Sequence, residues 1–156
     1  MTRTTLFIIM ILFLSMPVFS MIKAMPFPDL VKSAEAVIIA KVEAQETMIT
    51  PDVSKPSTKT SISVEKVLKG DVKLAENLEF TTPGSKSRPI LDKPVFPAKG
   101  ERVLLFLVKK EDGSWRLNNG VQGLWPLENG SDKTLGMGFN YSIKQVEEEL
   151  AKATQK

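Results

Sequence analysis

Hydrophobic residues form several distinct patterns along this chain, and each predicts a different element. The first is an uninterrupted block. Residues 4–22 carry no charge and 6–14 are wholly apolar; Arg3 precedes the block, and Pro17 and Ser20 close it. A positive start, a short apolar centre, a helix breaker and a small residue before a cut make an export signal. Ser20 and Ala24 are the candidate cleavage residues, which puts the mature start near Met21 or Met25. The block also approaches the ~20 residues a spanning helix needs, so a retained membrane anchor is the alternative. It has no polar face, which argues against a helix packed on the domain that follows.

The second pattern is alternation. Ala36, Ile38, Ala40, Val42 and Ala44 share one face of a strand over 35–44. Val37 and Ile39 lie on the other face between Glu35, Lys41 and Glu43, so that face is partly covered. Pro26-Phe27-Pro28 and a short turn capped by Asp29 lead into it. Residues 47–59, with Pro51 and Pro56, read as a loop. In 60–68, Ile62 and Val64 alternate and the phase then slips to Val67, as at a bulge in a curving sheet. Leu78, Phe80 and Thr82 mark a third strand, stopped by Pro83-Gly84.

Residues 102–108 are apolar on both faces, which predicts a central strand. Residues 114–119 return with Trp115 and Leu117 on one face, and 124–128 with 133–137 form a hairpin around Asn129-Gly130. The period then changes to that of a helix. Ser142 and Gln145 make a capping box, Tyr141 and Val146 a staple. Ile143, Val146, Leu150 and Ala153 form a narrow stripe, and Glu148 is spaced to pair with Lys152. The chain is therefore expected to divide into a signal or anchor helix over 1–24 and one mainly β domain over 25–156, an antiparallel barrel with a C-terminal α-helix.

Charge changes this picture little. Lys and Arg number 21 against 18 acids, a net +3 with no basic stripe, so no nucleic-acid partner is expected. The absence of Cys and His changes it more. It removes disulfides, Ser-His-Asp and Cys-His catalysis and the usual zinc sites. Ser63 and Lys66 have the spacing of a serine–lysine acyl enzyme, but that spacing serves a helix and here falls on a strand. Glu43, Glu46, Glu65 and Glu79 read as outward, solvated charges, and Glu111-Asp112-Gly113 as a turn. No catalytic residue, metal or cofactor is expected.

What remains is recognition. Residues 85–99 form the longest irregular stretch, with Pro89, Pro94 and Pro97 and the cations Lys86, Arg88, Lys93 and Lys99 against Asp92. Long loops in small domains are often functional, although a solvated connector stiffened by proline has the same composition. Lys86, Arg88 and Lys93 are the candidate binding residues, with Trp125, beside Pro126 at a strand edge, as an apolar anchor should it share their side; Trp115 and Trp125 also read as ordinary core residues. Arg88, Arg102 and Arg116 form an anion-binding rim if they converge.

Four segments in order carry a resemblance: SAEAVIIAKV from Ser33, VEKVLKGD from Val64, FTTPGS from Phe80 and GERVLLFLVKKEDGSWRL from Gly100. Together, over about 30–127, they resemble bacterial exported domains related to the netrin-like and tissue-inhibitor-of-metalloproteinases group. The resemblance implies an OB-like, five-stranded barrel with a helix. It does not carry over the inhibitors' zinc-chelating N-terminal cysteine, because this chain has none. The expected function is that of an exported, non-enzymatic domain binding an envelope or extracellular protein or the cell surface, touching the membrane only through 4–22 if that segment is retained. The alternative is an inhibitor of an extracellular protease acting through a surface loop.

Overall fold

The computed structural model describes residues 23–49, 56–134 and 141–154. The signal or anchor segment 4–22 lies outside them. No helix among the described residues is long and apolar enough to cross a membrane.

The chain enters through a short helix, α1 (Phe27–Ser33), with Pro28 in its first turn. Proline is tolerated there because the first helical N–H groups have no partner to lose. Asp29 does not cap this helix. Pro26 occupies the cap position and no side chain bonds the free N–H groups, so Asp29 acts only as a favourable charge in the first turn.

Strand β1 (Ala36–Met48) follows, then β2 (Ser57–Lys69), β3 (Asn77–Pro83), β4 (Arg102–Lys109), β5 (Trp115–Leu117) and β6 (Leu124–Pro126). The helix α2 (Ile143–Thr154) ends the described chain. β1 and β2 extend well into the expected 47–59 loop, pairing as far as Met48 with Ser57. The sheet is antiparallel and runs β3-β2-β1-β4-β5, and β6 shares with β5 the outer edge of β4. The β1–β2 register shifts at three places, leaving Leu68 and Glu65 unpaired on β2 and Glu43 on β1. Such extra residues bend and twist a strand pair.

The sheet curls but does not close. Leu78 and Phe80 of β3 and Leu117 of β5 enter one apolar cluster, although these strands are the two ends of the sheet path. A cleft of about 200 Å³ separates them, with Phe80 and Thr82 on one side and Trp115 and Leu117 on the other. The expected closed barrel is therefore corrected to an open, curled sheet. β5 has only three residues, and the rest of the β4 edge is taken by β6, so no strand among the described residues bridges the gap to β3.

Both faces of the central strands are buried. Ala36, Ile38, Ala40 and Val42 of β1 face the concave core with Val103, Leu105 and Leu107 of β4. Val37, Ile39, Leu104 and Phe106 face a second core roofed by Leu30 and Val31 of α1 and by Ile143, Val146 and Leu150 of α2. That roof is why every residue of 103–107 is apolar. The capping box of α2 is formed: Gln145 N–H donates to Ser142 Oγ at 3.2 Å, and Ser142 N–H to Gln145 Oε1 at 2.8 Å. Lys152 pairs with Glu149 at 3.1 Å, not with Glu148, which faces Lys144 at 3.9 Å. Of the second hairpin, the described part is β6 and the bridge Leu127 to Thr134; residues 135–137 lie outside.

Candidate functional site

The loop between β3 and β4 is the long irregular stretch singled out above, and it is held at both ends. Gly84 has φ +92°, and a Cβ there would meet Ile90 N at 3.1 Å and Arg88 O at 3.2 Å, so the chain doubles back where only glycine fits without strain. Thr58 Oγ1 donates to Gly84 O at 2.8 Å. Ser85 and Arg88 exchange backbone hydrogen bonds of 3.1 Å in both directions, with Lys86 and Ser87 at the tip. A second turn, Lys93 N–H to Ile90 O at 3.2 Å, puts Leu91 and Asp92 at its tip.

The returning limb is sewn into the sheet. Phe96 is 4% exposed and packs on Phe80, ring centroids 5.5 Å apart. Gln45 Nε2 donates to Phe96 O at 3.3 Å. Gly100 N–H donates to Val42 O at 2.8 Å and Val42 N–H to Glu101 O at 2.9 Å.

Between these anchors the loop presents apolar and cationic groups together. Leu91 is 87% exposed and Val95 44%, and Ile49, 80% exposed, stands at the same end of the sheet just beyond β1. Lys86, Arg88 and Lys93 are all exposed, and none belongs to an ion pair among the described residues. Beneath the loop lies a small pocket of about 60 Å³ of mixed character, lined by Thr47, Thr58 and Thr82 with Gln45, Ser85 and Lys86, and by Pro83, Pro94, Val95 and Phe96. The three threonines form one row across β1, β2 and β3. Thr60, one row deeper, is buried and its hydroxyl has no partner among the described residues.

Trp125 is not on this side. It is 2% exposed in the roofed core, its Nε1 donates to Gln122 O at 2.7 Å, and its ring meets Phe106 edge-on at 4.8 Å. β6 is short, but alternation along it sends Leu124 to the concave core and Trp125 to the roofed one. The sheet thus separates Trp125 from the three cations. The arginines do not converge either. Arg102 is held by Glu65 at 2.8 Å, Arg116 lines the cleft between the sheet edges, and Arg88 stays in the loop. Trp115 sits in that cleft with the Lys109 amine 5.1 Å above its ring.

No cluster of acids among the described residues is arranged to hold a metal ion. Lys66 is engaged by Glu147 at 2.7 Å. Asp112 accepts two bonds from Ser114, and the hydroxyl bond, then the backbone one, holds its carboxyl below the usual range, as suits a turn. The sequence reading missed Leu91 and Val95 as exposed apolar groups. The available signal was a pair of large apolar residues in a proline-rich stretch with no strand or helix period to bury them. No family model matches the sequence, and no curated protein is significantly similar to it.

Proposed function

We propose that this chain is an exported, non-enzymatic binding domain whose partner-facing surface is the 85–99 loop. The observation that carries the reading is a loop fastened to the core yet presenting Leu91 and Val95 among three cations that have no ion pair among the described residues. Exposed apolar groups rimmed by charge mark interaction sites, and a loop already ordered loses little entropy on binding. The partner is an envelope or extracellular protein, or a cell-surface component, with an acidic and apolar face. Export rests on the 4–22 block. An OB-like, netrin-like affinity is part of the same reading, supported by the order of the four segments and by the bulged, curled sheet with its helix.

A second reading, inhibition of an extracellular protease, is favoured by one feature: Leu91 stands at a turn tip between two anchors, as a single side chain offered to a pocket. Co-purification from the natural host at rising salt, using the native domain and a Lys86→Ser, Arg88→Ser, Lys93→Ser variant, tests the main reading. A partner lost with salt and with the variant supports it. Inhibition of that partner's proteolysis by the pure domain selects the second reading.

A further inference from the structure

The open side of the sheet leaves two strand edges on one cleft. Among the described residues no strand pairs the outer edge of β3 or that of β5, and Phe80, Thr81, Lys110, Trp115, Arg116 and Leu117 line the space between them. Hydrogen bonds at the strand ends fix which backbone groups face it. Gly84 N–H donates to Pro56 O at 2.6 Å and Val64 N–H to Glu76 O at 3.1 Å, so the β3 residues that bond β2 are Leu78, Phe80 and Thr82. Their side chains are the buried ones. The N–H and C=O groups of Glu79 and Thr81 therefore point away from β2, toward the cleft. On β5, Lys110 N–H donates to Ser114 O and Asn118 N–H to Phe106 O, each at 2.8 Å, so Arg116 is the residue that bonds β4. The N–H and C=O groups of Trp115 and Leu117 then face the cleft from the other side.

The two edges are matched in direction and phase. β1 is antiparallel to β2 and β4, β3 is antiparallel to β2, and β5 to β4, so β3 and β5 run the same way. One extended segment laid between them in the opposite sense is antiparallel to both. Its alternate residues serve alternate edges. A residue bonded to Glu79 or Thr81 turns its side chain outward as they do, and a residue bonded to Trp115 or Leu117 turns inward. The inward positions meet Phe80, Trp115 and Leu117.

The outward rim is cationic. Arg116 and Lys110 are exposed there, and neither has an ion pair among the described residues. The acid of the lining, Glu79, is held by Lys59 at 2.9 Å, which offsets its charge. Strand edges that face water are commonly blunted by charge, proline or brevity. Here Pro83 blunts only the end of β3.

We propose that this cleft binds an extended acidic segment of another protein, added as a strand between β3 and β5, with apolar side chains inward and carboxylates outward toward Lys110 and Arg116. Strand addition is a recurrent mode of peptide recognition. The site borders the 85–99 loop at Pro94 but uses none of its cations, so it holds or fails apart from the loop's assignment.

The test titrates the naturally processed protein with end-blocked, dye-labelled peptides as long as β3, read by fluorescence anisotropy. One peptide alternates valine and glutamate, and a second alternates valine and lysine. Two more repeat the first with either the glutamate or the valine amides N-methylated, which removes the donors for one edge each. The glutamate peptide is expected to bind saturably and about fivefold or more tighter than the lysine peptide. Either methylation is expected to weaken it about tenfold or more. Thr81→Pro should do the same, because it deletes an edge N–H that the β2–β3 ladder does not use. Lys110→Ser with Arg116→Ser should remove most of the preference for glutamate. The Lys86→Ser, Arg88→Ser, Lys93→Ser variant should keep the methylation effect. No saturable binding, equal affinity for the two charge types, or indifference to methylation overturns the proposal. So does a dimer that the glutamate peptide fails to dissociate, which would assign the edge to a second copy. The parent protein with the methylated peptides decides the matter should Thr81→Pro unfold, and a folded Thr81→Pro variant that binds as tightly as its parent overturns the proposal too.

Discussion

Phe96 packs against Phe80 across the mouth of the curled sheet, ring centroids 5.5 Å apart. One ring belongs to the loop and the other to strand β3, so a loop rich in proline and charge is fastened to the concave core. This contact links the stability of the domain to the proposed binding surface: the same residue that fills the core holds the loop in which Leu91 and the cations lie.

Phe96→Ala should therefore act twice. Truncating a buried phenylalanine costs about 3–5 kcal/mol. The freed loop should also become sensitive to trypsin after Lys86 and Lys99, its basic residues not followed by proline, under conditions where the rest of the domain stays intact. Urea unfolding and limited trypsin digestion measure the two effects. A variant as stable and as resistant as the parent would mean that Phe96 is not the anchor.

Leu105 is fully buried at the centre of β4. Leu105→Ala should cost about 2–5 kcal/mol in urea or thermal unfolding. Reductant should have no effect on the parent, which has no Cys, and chelator none, because no group of acids among the described residues is arranged to hold a metal ion.

Lys69 tests a polar contact. Its amine donates to Val31 O at 3.0 Å and Lys32 O at 3.2 Å, at the end of α1. Desolvation lowers its pKa below the ordinary lysine value. A depressed pKa means that the associated stability is present above the unfolded value and lost as pH falls through the folded one. At neutral pH, then, the charged amine carries a penalty that offsets its hydrogen bonds. Lys69→Met should change stability by no more than about 1 kcal/mol at pH 7, the usual worth of a hydrogen bond. The parent should gain on the variant as pH rises into the lysine range. Urea unfolding across pH checks this, and a parent that loses ground to the variant there would contradict it.

Processing is a separate expectation. N-terminal sequencing of the natural product should begin near Met21 or Met25. An intact Met1 in the membrane fraction would instead identify residues 4–22 as an anchor, and an intact Met1 in a soluble cytoplasmic fraction would refute export.

Much of the fold was legible because its signals are local. Alternation at Ala36, Ile38, Ala40 and Val42, the double-sided apolar run 103–107 and the Ser142–Gln145 box all describe single elements, and each forms where the pattern puts it. The slip at Val67 likewise announced irregular pairing, which appears as shifts around Glu65 and Leu68. Closure was not legible, because it depends on how two strands share one edge of β4. Nor was the setting of Trp125. Its phase in a three-residue strand is readable, but whether that face meets water or helices depends on where α1 and α2 dock. Phe96 was hidden for a related reason: a residue in irregular chain has no period, so only the folded loop shows that it points into the core.

The most direct test of the binding surface is site-specific photocrosslinking in the natural host. A photoreactive residue is placed at Leu91, at the loop tip, or at Lys144, exposed on α2. A discrete adduct is expected from position 91 and not from 144, and it should disappear when Lys86, Arg88 and Lys93 are changed to serine, substitutions that should alter stability by only about 0.5 kcal/mol. Adducts from 144 but not from 91, or an adduct at 91 that persists without the cations, would contradict the assignment of the 85–99 loop as the partner-facing surface.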